Sequence, residues 1–173
     1  KVYSSEQFAD LAETPLPRWD LVRLRDYQTL MVQYSRGCPF NCEFCDITNL
    51  FGRAPRVKSS DQILGELEEL YSLGWRGQLF FVDDNFIGNK REVRKVLRDL
   101  VVWTEERDHP FNFLTEASVN LSDDDELIEL MVQSGFDAVF VGLETPNEES
   151  LMECGKKQNC RRDLVSAIRK IQR

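Results

Sequence analysis

Leu30-Met31-Val32-Gln33-Tyr34-Ser35-Arg36-Gly37-Cys38-Pro39-Phe40-Asn41-Cys42-Glu43-Phe44-Cys45 reads as an apolar strand running into a loop that bears three thiols. The thiols are spaced CxxxCxxC, with an aromatic residue just before the last. Cysteine thiolates hold iron–sulfur clusters, and a [4Fe–4S] cube has four irons to satisfy. Three local cysteines leave one iron without a protein ligand. Such an iron can bind a substrate, which an electron-transfer cluster does not need. Zinc is the rival reading, as a non-catalytic Zn or Fe–S module. Structural zinc takes four Cys or His ligands, often as two CxxC pairs. Here the only histidine, His109, stands far along the chain beside Pro110, as a loop residue would. Cys154 and Cys160 are six apart, make no second CxxC and read as free thiols. Five cysteines, three of them bunched, argue against a disulfide framework.

Outward from this stretch the chain alternates strands and helices. Ser59 with Gln62 forms a capping-box pattern. Ile63, Leu64, Leu67, Leu70 and Tyr71 then make one helical stripe that stops at Gly74. Leu79-Phe80-Phe81-Val82 is a second apolar strand. Asn89, with Glu92 three residues on, caps a helix burying Val93, Val96, Leu97, Leu100 and Val101. Phe111-Asn112-Phe113-Leu114-Thr115-Glu116 is the third strand. Ser122 is expected to open a helix with Leu127, Ile128 and Met131 inside, ended by Gly135. Ala138-Val139-Phe140-Val141 is the fourth strand. Thr145-Pro146-Asn147-Glu148 marks another helix start, with Pro at its first position. Leu164, Val165, Ile168 and Ile171 form a last amphipathic segment. Apolar strands alternating with helices indicate a parallel sheet covered by helices, joined by right-handed crossovers. A doubly wound sheet and a TIM-like barrel both fit this periodicity. The absence of GxGxxG after any strand weighs against dinucleotide binding.

The 173 residues suffice for one domain with a real core. Net charge is −8, and phosphate contacts need clustered cations, so nucleic acid is not expected as a partner. Basic residues gather at Arg53, Arg56 and Lys58, and at Lys156, Lys157, Arg161 and Arg162. They read as solvated loops and helix faces, although the first group, close behind the cysteine loop, is also placed to meet an anionic substrate group. There is no apolar run long enough to span a membrane and no signal-peptide pattern. Clustered cysteines without secretion signals point to a reducing, cytoplasmic compartment.

In parallel α/β folds, sites gather at the carboxyl ends of strands. The first strand delivers Cys38, Cys42 and Cys45; the second, Asp83, Asp84 and Asn85. The third carries Glu116, Ser118 and Asn120, and the fourth ends in Gly142, Glu144 and Thr145. A zwitterionic, ribose-bearing cofactor needs such acceptors. A buried polar group left unpaired costs roughly 1–3 kcal/mol.

Arg36-Gly37-Cys38-Pro39-Phe40-Asn41-Cys42-Glu43-Phe44-Cys45-Asp46-Ile47 resembles the signature of the radical SAM superfamily. Gly74-Trp75-Arg76-Gly77 and Phe80-Phe81-Val82-Asp83-Asp84-Asn85-Phe86-Ile87-Gly88-Asn89-Lys90 resemble its branch with a B12-binding domain, hopanoid C-2 methylase-like proteins included. The resemblance favours the barrel: a partial (β/α) TIM-like barrel of the radical SAM type, with four strand–helix units where such cores typically hold six. It implies that residues 29–173 are a radical SAM core, incomplete at the C-terminus. Residues 1–28, with Thr14-Pro15-Leu16-Pro17, would be a linker from an absent upstream cobalamin-binding domain.

It further implies that Cys38, Cys42 and Cys45 hold a [4Fe–4S] cluster, whose open iron is chelated by the amino and carboxylate groups of S-adenosylmethionine. One electron, from a donor such as flavodoxin or ferredoxin, would cleave the sulfonium to a 5′-deoxyadenosyl radical that abstracts hydrogen. Phe44 would pack against adenine, and Gly142 would let the backbone approach. Glu144, in Gly142-Leu143-Glu144-Thr145, matches the family's Gly-Ile-Glu-Ser and would make a polar contact. The family's second-strand Gly-Gly-Glu is replaced here by Val82-Asp83-Asp84-Asn85, and Asp84 is favoured for the ammonium. By analogy, the reaction would be cobalamin-dependent methylation of an unactivated carbon in a small, lipid-like molecule. Methylthiolation and radical ring closure are the alternatives.

Overall fold

The computed structural model describes Val2 and residues 7–173. Its elements are β1 (Thr29–Val32), β2 (Ser35–Arg36), α1 (Ile47–Phe51), β3 (Arg56–Val57), α2 (Ser60–Ser72) and β4 (Gln78–Phe81). There follow α3 (Lys90–Glu105), β5 (Asn112–Ala117), α4 (Asp125–Ser134), β6 (Phe136–Val141), α5 (Glu148–Glu153) and α6 (Leu164–Ile171).

Strands β1, β4, β5 and β6 form one parallel sheet in that order. This order settles what periodicity left open. A doubly wound sheet reverses direction at a switch point. Here each new strand adds on the same side of its predecessor, as in part of a (β/α) barrel. Between β5 and β6 the register slips: Phe113 faces Phe136 while Leu114 faces Ala138. The extra residue is Asp137, a bulge that increases local twist.

Alternation along the strands separates two faces. Leu30, Val32, Leu79, Phe81, Phe113, Thr115 and Ala117 are buried under α2, α3 and α4. Met31, Phe80, Leu114 and Ala138 share one register row on the opposite, concave face. An aromatic group of Phe81, Phe86, Phe113 and Phe136, with centroids 5.1–5.4 Å apart, anchors the core. Each such burial contributes roughly 1.5–3 kcal/mol.

Helix starts follow local chemistry. Ser59 Oγ accepts from Gln62 N at 3.2 Å while Gln62 Oε1 accepts from Ser59 N at 3.0 Å, completing the capping box. Asn89 caps α3 through Glu92 N, and Gly135 ends α4 at φ 101°.

Several sequence expectations are corrected. The first strand breaks after Val32, and Ser35–Arg36 turns instead to pair antiparallel with Arg56–Val57. Ser122 does not open α4: it is buried in a 3₁₀ turn, its Oγ donating to Val119 O, and Asp124 is the cap. The next helix starts from Asn147, whose Oδ1 accepts from Ser150 N, rather than from Thr145 with Pro146. In α6, Val165 is exposed and Ala167 buried. Ahead of β1, Trp19 and Leu24 pack against the core, Leu11 is buried, and Gln62 Nε2 donates to Leu11 O at 2.9 Å. Among the described residues, no helix is long and apolar enough to cross a membrane.

Candidate cluster and cofactor site

The two acids after β4 point apart because successive strand residues alternate sides. Asp83 is 1% exposed and turns inward. Its carboxyl accepts from Tyr34 N at 3.1 Å, from Ser35 N and from Ser35 Oγ at 2.5 Å. Burial pushes this carboxyl up to about 7, against those hydrogen bonds, and nearby Asp84 adds to the rise. Asp84 Oδ2 accepts from Gly37 N at 2.9 Å. The pair thus grips both ends of the turn that launches the cysteine loop.

Gly37 is required there. Its φ is 99°, and a Cβ would lie 2.8 Å from Gly52 O. The base of the loop is closed by β2–β3 pairing and by Lys58 N donating to Tyr34 O at 2.9 Å. Lys58 itself is buried, with Nζ 2.5 Å from Glu66 Oε1. Arg56 reaches the Ala9 and Phe51 carbonyls, and Arg53 reaches Pro39 O. Lys58 is therefore structural rather than solvated and Arg56 is half-buried, while Arg53 stays exposed, as the sequence reading expects.

The far side of the loop is held by distant chain. Glu43 N donates to Cys154 O at 2.8 Å. Gly155, at φ 72°, lies so close that a Cβ would sit 2.7 Å from Asn41 O.

Cys38, Cys42 and Cys45 border a cleft of about 190 Å³ at the carboxyl ends of the strands. Phe44, Asp84 and Asn85 line it, as do Glu116, Ser118, Gly142 and Glu144. Of the residues selected from sequence, Asp83 and Asn120 do not. Asn120 lies behind Ser118, whose Oγ donates to Asn120 Oδ1 at 2.5 Å. Lys156 and Gln158 complete the wall, with Phe40, Ala117 and Phe140. In sequence Lys156 stands only in a basic group that reads as solvated, and no local pattern marks Gln158; the fold instead buries Lys156 and brings both to the loop. A larger apolar groove of about 870 Å³ beside β6, α4 and α6 contains none of the selected residues. Chemistry, not volume, marks the site.

Lys156 is 8% exposed and pairs with Glu144 at 2.5 Å, its Nζ 5.5 Å from the Phe44 ring centroid. This pair spans Gly142, where a Cβ would meet both charged groups at 2.7 Å. Glu144 adopts φ 64°, a left-handed conformation uncommon outside glycine. Burial, then the charge of Asp84, raises the Glu116 carboxyl. Burial raises the Cys38 thiol, opposed by hydrogen bonds from the Phe40 backbone and the Asn85 amide.

Among the described residues, no three His, Cys, Asp or Glu side chains converge on one ion position. A tetrahedral zinc would need such convergence. A cubane instead gives each thiolate its own iron, so sulfurs ringing a cleft fit it.

Residues 32–173 match the family described as the radical SAM superfamily. An uncharacterized methyltransferase of Synechocystis sp. is 55% identical over 98% of this chain and 32% of its own length. The hopanoid C-2 methylase of Rhodopseudomonas palustris is 38% identical over the same shares. The solved structure of the cobalamin-dependent S-adenosylmethionine radical enzyme OxsB, with aqua-cobalamin and S-adenosylmethionine bound, superposes with a TM-score of 0.77 at 21% identity. That superposition covers 95% of this chain and 25% of the other, a likeness of fold. The chain spans about a third of the length of the curated relatives it matches.

Proposed function

The chain belongs to the radical SAM superfamily, and on that premise we propose that Cys38, Cys42 and Cys45 hold a [4Fe–4S] cluster whose open iron binds S-adenosylmethionine. A cluster held there would supply the electron that splits the sulfonium C–S bond, releasing methionine and giving a 5′-deoxyadenosyl radical able to take hydrogen from an unreactive position. The observation carrying this reading is the single cleft that three thiols share with acids, amides and an aromatic ring drawn from four strand ends.

Each residue has a task. Asp84 keeps one oxygen free after bonding Gly37 N and accepts from the ligand's ammonium, with Glu116 beside it. Lys156, a buried cation on the opposite wall, meets the carboxylate. Phe44, 58% exposed in the cleft, offers its face to adenine. Asn85, Ser118 and Glu144 offer partners to the ribose hydroxyls, and Gly142 permits close approach. Asp83 and Asn120 support this set from behind.

Relatives named as methyltransferases support a further step. The whole protein would carry out cobalamin-dependent methylation of an unactivated carbon, with the hopanoid C-2 methylase pointing to a lipid-like substrate. Residues 1–28 would then lead from a cobalamin-binding domain into the core at 29–173. A cytoplasmic one-electron donor such as flavodoxin or ferredoxin would reduce the cluster. The deciding experiment is anaerobic reconstitution of the intact protein. Four irons per chain and a reduced-cluster EPR signal altered by S-adenosylmethionine are expected. Zinc in place of iron, or an EPR signal indifferent to S-adenosylmethionine, would refute the proposal.

A further inference from the structure

Two side-chain amides approach sulfurs of the cysteine loop. Asn85 Nδ2 lies 3.9 Å from Cys38 Sγ, and Gln158 Nε2 lies 3.6 Å from Cys42 Sγ. Sulfur is larger than oxygen, so 3.6 Å is an ordinary N–H···S separation and 3.9 Å its outer edge. Asn85 is already committed to Ser118, bonding its Oγ at 3.1 Å and its N at 3.2 Å. Among the described residues Gln158 has no such competing partner: its Oε1 is buried and unbonded, and its amide N–H is directed to Cys42 Sγ.

The position of Gln158 is built. Asn159 Nδ2 donates to the Gly142 and Leu143 carbonyls, both at 3.1 Å, fixing the segment to the end of β6. Arg162 Nε donates to Gln158 O at 3.3 Å while its guanidinium takes both oxygens of Asp123. Cys154 O and Gly155 hold the segment against the loop itself. A flexible side chain has thus been placed beside a thiolate by anchors on three sides.

We propose that Gln158 is a positioning residue whose amide N–H steadies the Cys42 thiolate and raises the reduction potential of the cluster. The inference rests on the cluster reading above. A reduced cluster carries one more negative charge than an oxidised one. A donor on a ligating sulfur therefore stabilises the reduced form more, and hydrogen bonds to sulfur are among the levers that set such potentials.

The test is an EPR-monitored redox titration of the intact, anaerobically reconstituted protein. Gln158→Met keeps the side chain's length without the donor. It is expected to keep its iron and to lower the reduced-to-oxidised ratio at fixed potential about tenfold, ~59 mV for a one-electron couple. Gln158→His returns an N–H at similar reach and should recover most of the shift, which a purely packing role would not predict. An unchanged potential in fully loaded Gln158→Met overturns the inference and leaves the cluster reading standing. If Gln158→Met loses iron, Gln158→Asn, which withdraws the donor by one methylene, is titrated instead, and an unmoved potential there is equally fatal. A wild-type protein that forms no [4Fe–4S] cluster overturns both readings.

Discussion

Replacing Lys58 by Met tests the base of the cysteine loop. Lys58 and Glu66 form an ion pair whose side chains are 6% and 3% exposed. Lys58 also donates its backbone N–H to Tyr34 O, beside the turn gripped by Asp83. Removing the ammonium leaves a buried carboxylate without its charge partner. Breaking a buried pair from one side costs roughly 3–5 kcal/mol. At roughly 2–4 °C per kcal/mol for a chain of this size, Tm should fall by roughly 6–20 °C. Burial already raises the Glu66 carboxyl, opposed by the hydrogen bond and charge of Lys58. With Lys58 gone the folded-state value rises further above the unfolded one. A carboxyl raised in this way favours the fold fully below its unfolded value and loses that contribution as pH climbs through the folded one. The cost should therefore be smaller at pH 5 than at pH 8. Lys58→Met/Glu66→Leu should recover most of the loss, because an apolar pair replaces the stranded charge. Denaturant unfolding of the three variants at both pH values measures each quantity. A cost under about 1 kcal/mol, a cost independent of pH, or a double variant no better than the single one would refute the reasoning.

Three further outcomes are expected. Cys42→Ala should lose the cluster after anaerobic reconstitution, and four irons per chain by chemical assay would contradict the ligand set. Asp84→Ala should weaken S-adenosylmethionine binding to the loaded protein about tenfold, the scale of one charge-assisted hydrogen bond; unchanged affinity by equilibrium titration would move the ammonium contact elsewhere. Gly155→Ala places a Cβ 2.7 Å from Asn41 O at φ 72° and should cost roughly 1–3 kcal/mol, with faster iron loss to a chelator; wild-type release kinetics would show that the 154–160 segment does not hold the loop.

Much of this was legible along the chain. Helix starts at Ser59 and Asn89 were readable because a cap and its partner lie within one turn. The cap of α4 was not, because Ser122 and Asp124 are both good caps by type. The choice went to Asp124, which also takes Arg94 at 2.5 Å from a neighbouring helix. That most of the candidate residues at the strand ends would gather around one cleft was legible, since a parallel sheet collects its carboxyl ends on one side; that Asp83 and Asn120 stand outside it was not. Their division of labour was not. Asp83 and Asp84 are neighbours of the same type, and only the packing just past the end of β4 sends one into the core and the other into the cleft.

What the amino-acid order determined alone was the strand–helix alternation and a loop of three thiols, because both depend on residues within a few positions of each other. The tertiary structure decided the rest: the consecutive strand order that makes a partial barrel, the burial of Lys58, and the presence of Lys156 and Gln158 beside the loop. Gln158 meets Cys42 across 116 residues of sequence. Such a contact comes from the consecutive order of the strands and their crossovers, not from any spacing along the chain.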